Sequence, residues 1–203
     1  MLDVGNLNHF MIDILKELGN IGAGNAATAL ASMISKKVNM DVPNVRILEF
    51  KEVAEVLGGE ENLIVGIYFE LTEDVVGNMM FALDMDSAIN LTNMLFNRER
   101  NDRQLDEMDI SAISEVGNIL ASSYANSLSS LTGLKIFISV PSISIDMAGA
   151  ILSVPAIHYG HVADHALMIE TTFEENQNLV TGNIFFLPNL SSFDKILTAL
   201  GVN

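Results

Sequence analysis

The sequence contains no cysteine. This absence excludes disulfides, catalytic thiolates and thiolate-bound metals, and it is compatible with a reducing compartment. No run of apolar residues approaches the roughly 18 to 20 that a membrane-spanning helix needs, and the first residues lack the basic and apolar regions of a signal peptide. The sequence therefore predicts a cytoplasmic protein that does not insert into a membrane.

Positive charge is also scarce, because 10 Lys and Arg residues stand against 26 Asp and Glu residues, a formal net charge of −16. The electrostatic field of this negative charge repels DNA, RNA and anionic lipid, so no nucleic-acid partner is expected. The chain has no cluster of basic residues that would grip a free phosphorylated metabolite. If the protein acts on a phosphate group, another molecule must supply the positive charge.

What the sequence does contain is an internal repeat. Residues 13–43 align without a gap on residues 111–141, 98 positions further on, and eleven of the 31 pairs are identical. A second match relates the segment 75–96 to the segment 179–200, where Gly77 aligns with Gly182 at an offset of 105 positions. A repeat of this length determines the whole architecture, and the change of offset places seven extra residues in the middle of the second copy.

Each copy is predicted to have the element order α-β-α-β-β-α. Apolar residues at helical spacing indicate the helices, and β-branched and aromatic runs bounded by turn residues indicate the strands. In the first copy the predicted elements are 9–35, 37–43, 51–57, 62–71, 76–83 and 86–96. Neither half has enough sheet to close a core alone. We therefore expect an α/β (α+β) fold with one pseudo-two-fold domain over 1–203, in which repeat 1 (1–98) and repeat 2 (107–203) share one sheet and a charged linker covers about 97–106.

The long helix of each copy carries the same pair of polar residues, Glu17 and Asn20 in the first and Glu115 and Asn118 in the second. Residues three apart lie on one helical face, so the carboxylate and the amide of each pair can meet one small target together. An amide is not a base, but it can hold a water molecule through one acceptor and one donor. Positioning water for in-line attack is most of what phosphoryl transfer requires once cations neutralise the phosphate.

A structural role for the repeated asparagines is an alternative, because the two amides could hydrogen-bond to each other where the helices cross. Small residues on the same helices, such as Gly19 and Gly117, are interpreted as packing positions.

Three histidines, His158, His161 and His165, have a spacing that would place metal ligands on one helical face. Their segment belongs to the insertion in the second copy, is predicted as loop or edge strand, and has no match in the first copy. No metal site is therefore predicted.

The repeated segments KELGNIGAGNAATALA (16–31) and SEVGNILASSYANSLS (114–129), each followed by Val-Pro, closely resemble the two signature helices of the CheC family. The resemblance covers nearly the whole chain. It implies a phosphatase that hydrolyses the aspartyl phosphate of phosphorylated CheY, with the catalytic residues at Glu17, Asn20, Glu115 and Asn118. Each asparagine would orient the attacking water, and each glutamate would engage the active site of the regulator.

The resemblance also implies what the partners contribute. The protein would need no cofactor of its own, because the bound regulator would supply Mg²⁺ and a lysine around its acidic pocket. A second partner, the receptor deamidase CheD, would form a heterodimer with the protein and raise its activity, and the short helix predicted near Asp146 is a candidate surface. The alternative from another class is a non-catalytic module that binds a response regulator or the flagellar switch.

Overall fold

The structure, a computed structural model, describes residues 9–34, 39–42, 44–49, 52–98, 104–159, 165–175 and 178–201. The first repeat contains α1 (His9–Ile34), β1 (Asn39–Asp41), β2 (Val45–Glu49), α2 (Val53–Val56), β3 (Leu63–Glu73), β4 (Gly77–Asp84) and α3 (Met85–Phe96). The second contains α4 (Glu107–Thr132), β5 (Ile136–Ile138), β6 (Ser142–Met147), α5 (Ala148–Tyr159), β7 (His165–Glu175), β8 (Asn178–Pro188) and α6 (Leu190–Ala199).

Local side-chain chemistry sets the ends of α4. Asp106 and Asp109 form a reciprocal capping box, in which each carboxylate accepts a hydrogen bond of 2.9 Å from the backbone N–H of the other residue. This arrangement satisfies two N–H groups that the first turn of a helix leaves without partners. The helix ends at Gly133, which adopts a left-handed conformation with φ of 71°. Glycine enters that region without the steric cost that a side chain imposes.

The two repeats exchange strands within one antiparallel sheet. The hairpins β3-β4 and β7-β8 meet at the centre, where β4 pairs with β8. Strands β1 and β2 of the first repeat pair with β7 of the second, and β5 and β6 of the second pair with β3 of the first. The outer strands of each repeat thus complete the hairpin of the other. The prediction that both halves share one sheet in a mixed helix and strand fold is confirmed.

Two strands were missing from the predicted element order. The first predicted strand of each copy ends near a proline, Pro43 or Pro141, whereas β2 and β6 follow those prolines. Each repeat therefore has the order α-β-β-α-β-β-α. The inserted residues lengthen the fourth element, because α5 has 12 residues where α2 has four.

Helices cover both faces of the sheet. The larger core lies under α1, α3, α4 and α6 and includes Val65, Ile67 and Phe81 of the strands. The smaller core lies under α2 and α5 and includes Ile64 and Met80. Neighbouring strand residues point to opposite faces, so both faces bury apolar side chains. Among the helices that the structure describes, none is long and apolar enough to cross a bilayer.

Candidate functional site

The four predicted site residues lie on the outer faces of the two long helices. Glu17 and Asn20 of α1 and Glu115 of α4 are exposed, and Asn118 is partly exposed. Each Glu and Asn pair is separated by three residues within one α-helix, so the two side chains of a pair share a face. Both amides are therefore accessible from outside the protein.

A buried glycine inside each pair holds the helix against the sheet. A Cβ atom at Gly19 would lie 3.1 Å from Val42 Cγ1, and one at Gly117 would lie 3.1 Å from Ile67 Cγ2. A larger residue at either position would force neighbouring side chains to move. Because the glycine occupies the inward direction, the flanking glutamate and asparagine project outward. The Glu-x-Gly-Asn pattern thus combines a contact with the sheet and two outward polar groups.

The two long helices meet at Gly22 of α1 and Tyr124 of α4. A Cβ atom at Gly22 would lie 2.5 Å from Tyr124 Cδ1, so a side chain there would collide with the ring. The Tyr124 hydroxyl is 3.1 Å from Thr171 Oγ1, and burial raises the pKa of Tyr124 to about 12, although this hydrogen bond lowers it in part. Tyr124 is therefore neutral at physiological pH. Its ring packs against α1 and its hydroxyl contacts β7, so Tyr124 connects α4 to both elements.

Sequence reasoning did not identify Tyr124. Tyr124 aligns with Ala26 of the first repeat. The two repeats differ at this position, so a search for identical residues overlooks Tyr124, whereas a search for differences in side-chain size would find it. A bulky residue in one copy requires space in the other helix, and Gly22 provides it.

The cross-helix hydrogen bond involves a different asparagine from the predicted one. Asn25 Nδ2 of α1 lies 3.5 Å from Ser127 Oγ of α4, at the long limit for such a bond. In the described part of the chain, neither Asn20 nor Asn118 makes a side-chain hydrogen bond. The alternative in which the repeated asparagines bond to each other is therefore not what the structure shows.

The two Glu and Asn pairs form separate sites. Asn118 and Ser127 are nine residues apart, about two and a half helical turns, so they point to opposite sides of α4. Since Ser127 faces α1, Asn118 faces away from it. Asn20 lies five residues before Asn25, about 140° around α1 from the side that faces α4. Each pair is thus accessible on its own side of the protein.

The chemistry of each pair is limited to hydrogen bonding and charge. A carboxylate accepts hydrogen bonds or pairs with a cation, and an amide both donates and accepts. Over the described residues, no group of three or more His, Asp or Glu side chains is arranged to hold a metal ion. Such a site can orient water against an electrophile that another molecule holds, but it has no nucleophile of its own.

The predicted histidine segment differs in structure from the loop or edge strand that was expected. His158 lies in α5, and His165 begins β7, an inner strand that has neighbours on both sides. His161 lies outside the described residues. The prediction is therefore wrong at His158, because the inserted residues extend the helix, and at His165 the predicted strand is an inner strand rather than an edge strand.

Comparison with known proteins agrees with this architecture. A sequence model of the CheC-like family matches residues 10–47 and 108–145, the two segments that contain the Glu and Asn pairs. The CheY-P phosphatase CheC of Bacillus subtilis (strain 168) is 35% identical over 197 residues, which are 95% of this chain and 94% of that protein. The chain belongs to the CheC-like family. The family predicted from the sequence is confirmed.

Solved structures share the CheC-like fold. FliY of Thermotoga maritima superposes over 97% of this chain and 98% of its own, with a TM-score of 0.77 and 25% identity. A chain of the CheX-CheY-BeF3-Mg²⁺ complex of Borrelia burgdorferi covers 82% of this chain and 95% of its own, with a TM-score of 0.50 and 17% identity. The second likeness concerns the fold alone.

Proposed function

We propose that this protein is a hydrolase that removes the phosphoryl group from phosphorylated CheY. The observation that carries the proposal is the doubled, outward-facing Glu and Asn pair on two helices of a CheC-like protein. The relative from Bacillus subtilis, named as a CheY-P phosphatase, supports the substrate. The complex of CheX with CheY, in which one chain shares this fold, supports CheY as a partner.

In the proposed mechanism, Asn20 or Asn118 enters the phosphorylation pocket of the regulator. The amide accepts one hydrogen bond from a water molecule and donates to another polar group, which aligns the water opposite the aspartyl oxygen. The water oxygen bonds to phosphorus while the bond from phosphorus to the aspartyl oxygen breaks, which yields inorganic phosphate and a free aspartate. Glu17 or Glu115 contacts a cationic group of the regulator and holds the regulator in position relative to the asparagine.

The division of labour between the two proteins follows from charge. With a formal charge of −16, this chain is poorly suited to neutralise a phosphoryl group. Magnesium held by the regulator would supply the positive charge that phosphoryl transfer needs. This origin of the metal remains a prediction.

CheD is proposed as a second partner on the strength of the family resemblance. The helix expected near Asp146 is α5, which begins at Ala148 and is the segment that differs most between the repeats. A role for α5 in binding CheD remains a prediction, as does the cytoplasmic location.

The deciding experiment measures inorganic phosphate released from purified phosphorylated CheY with and without this protein. Acceleration above the spontaneous rate supports the phosphatase. Binding to phosphorylated CheY without acceleration supports the alternative, a non-catalytic regulator-binding module.

A further inference from the structure

Three apolar side chains are exposed together at one end of β3 and β6. Leu63 is 46% exposed, Met147 is 50% exposed and Ile145 is 37% exposed. Leu63 and Met147 are opposite each other in the antiparallel register, and Ile145 is opposite Val65, which is buried in the larger core. All three therefore project from the face of the sheet that carries α1 and α4. We call Leu63, Ile145 and Met147 the apolar strip.

Helix α4 covers the sheet next to this strip but not over it. Gly117 of α4 packs against Ile67, and Ile67 is opposite Ile143 in the register of β3 and β6. The apolar strip lies on this same face of the sheet, two to four residues along β3 and β6 from the pair of Ile67 with Ile143. It thus forms a floor beside the segment of α4 that contains the second Glu and Asn pair.

Asn118 points to the side of α4 on which the strip lies. Asp109 and Ser127 are each nine residues from Asn118, and both face the opposite side, where Asp109 binds Arg98 at the end of α3 and Ser127 binds α1. Helix α1 packs over β1 and β2, at the far edge of the sheet from β6. The flank that presents Asn118 is therefore the flank toward β6.

The surface beside the α1 site has polar residues at two of the three equivalent positions, and the third, which corresponds to Ile145, is Ile47. Ile67 and Ile169, the contacts of Gly117 and Gly19, are both the fifth residue of eleven-residue strands. The pair of Leu63 with Met147 therefore corresponds to the pair of His165 with Glu49. Glu49 is exposed. The site on α1 thus has a carboxylate where the site on α4 has a thioether.

We propose that the apolar strip is a docking floor for phosphorylated CheY at the α4 site, and that it makes the α4 site bind CheY more tightly than the α1 site. The proposal rests on the proposed function. A regulator that reaches Asn118 from this flank would contact the strip, because both lie on the side of α4 toward β6. An acidic phosphorylation pocket is repelled by the charge of −16, and an uncharged surface reduces that repulsion while burying apolar area.

The test uses full-length variants with one working site each. Asn20→Ala leaves the α4 site, and Asn118→Ala leaves the α1 site. In the Asn20→Ala background, Leu63→Ser with Met147→Ser should raise the KM for phosphorylated CheY by about five- to tenfold with little change in kcat. In the Asn118→Ala background the same two changes should leave both constants unaltered.

Two further variants separate docking from general surface effects. Phe137→Ser is the matched control, since Phe137 is 60% exposed. The strand neighbours of Phe137, Ile136 and Ile138, pack into the larger core, so Phe137 projects from the opposite face of the sheet. It should not change KM in either background. Glu49→Met should lower the KM of the α1 site in the Asn118→Ala background.

An equal rise of KM in both backgrounds, or no rise in the Asn20→Ala background, would overturn the docking proposal. If the protein does not accelerate phosphate loss at all, the proposed function fails, and the strip is then judged by titration with CheY carrying BeF3 and Mg²⁺. Weaker binding by the Leu63→Ser and Met147→Ser variant supports the docking floor, and unchanged binding refutes it. Thermal unfolding confirms that each variant is folded.

Discussion

Gly22 of α1 lies directly against the ring of Tyr124 in α4, so closely that a methyl group at Gly22 would be 2.5 Å from Cδ1 of the ring. Tyr124 is almost completely buried and its hydroxyl is hydrogen-bonded to Thr171, which holds the ring at this contact. The separation between the two helices that carry the Glu and Asn pairs is therefore set at this contact.

Replacement of Gly22 by alanine should destabilise the protein by about 1 to 3 kcal/mol, because the added methyl group overpacks the contact between the helices. Urea unfolding measures the change. Gly24→Ala is the matched control two residues away, since a Cβ at Gly24 has no atom within 4 Å. That control should stabilise the helix by about 0.5 to 1 kcal/mol, because alanine has the higher helix propensity. Equal stability of the two variants would contradict the contact.

Replacement of Tyr124 by phenylalanine should cost about 1 to 2 kcal/mol at neutral pH, because the buried Thr171 hydroxyl loses its partner. Thr171→Val in the same chain removes the orphaned hydroxyl and should recover part of the loss. Urea unfolding of the single and double variants tests this, and a double variant less stable than the single one would contradict it.

The same tyrosine predicts an alkaline limit to stability. Burial raises the pKa of Tyr124 from 10.0 to about 12 in the folded protein, so the folded state binds its proton more tightly than the unfolded state. The stabilising contribution is complete below pH 10 and is lost as the pH rises through about 12, with a total of roughly 2 to 3 kcal/mol. Unfolding measured at about pH 8 and about pH 11 should show a smaller decline for Tyr124→Phe than for the natural protein.

Replacement of both Asn20 and Asn118 by alanine should reduce the acceleration of phosphate release by about 100-fold or more, because water is no longer aligned with the phosphoryl group. Each single variant should retain the activity of its intact site. Asn126→Ala is the control, since Asn126 is also exposed on α4. Undiminished acceleration by the double variant would refute the catalytic assignment.

The ion pair of Arg98 with Asp109 should contribute to the position of α4. Arg98 Nη1 donates to Asp109 Oδ1 at 2.8 Å, and the Asp109 side chain is fully buried whereas that of Arg98 is one-third exposed. Arg98→Met leaves a buried carboxylate without this cation and should cost roughly 1 to 3 kcal/mol in urea unfolding. Adding Asp109→Asn removes the buried charge, so the double variant should be less destabilised than Arg98→Met alone.

The helices and the central hairpins were predictable because the signal for each lies within its own segment, as apolar residues at helical spacing or as β-branched and aromatic runs bounded by turn residues. The strands β2 and β6 were not. In Ser142–Met147, serine and aspartate alternate with isoleucine and methionine, which is a strand pattern, but Pro141 suggested that the strand had ended. These strands pair with the other repeat, and sequence periodicity does not specify a distant partner.

The Glu and Asn pairs were identified because they recur, and the structure places them on accessible faces as expected. The packing contact of Gly22 with Tyr124 and the difference between Met147 and Glu49 were not identified. Comparison of repeats emphasises identities, whereas these features depend on residues that differ between the copies. Only the pairing register shows that Met147 and Glu49 occupy equivalent positions.

The exchange of outer strands makes each half of the chain a template for the other. A fragment ending near the linker would expose the unpaired edge of β3 to solvent, and a fragment beginning there would expose the edge of β7. Mixed together, the fragments would have complementary edges and would reassemble the sheet without a covalent connection. Damage that unfolds one half thus removes structural support from both faces that carry a Glu and Asn pair, so the duplication provides two pairs but no redundancy against unfolding.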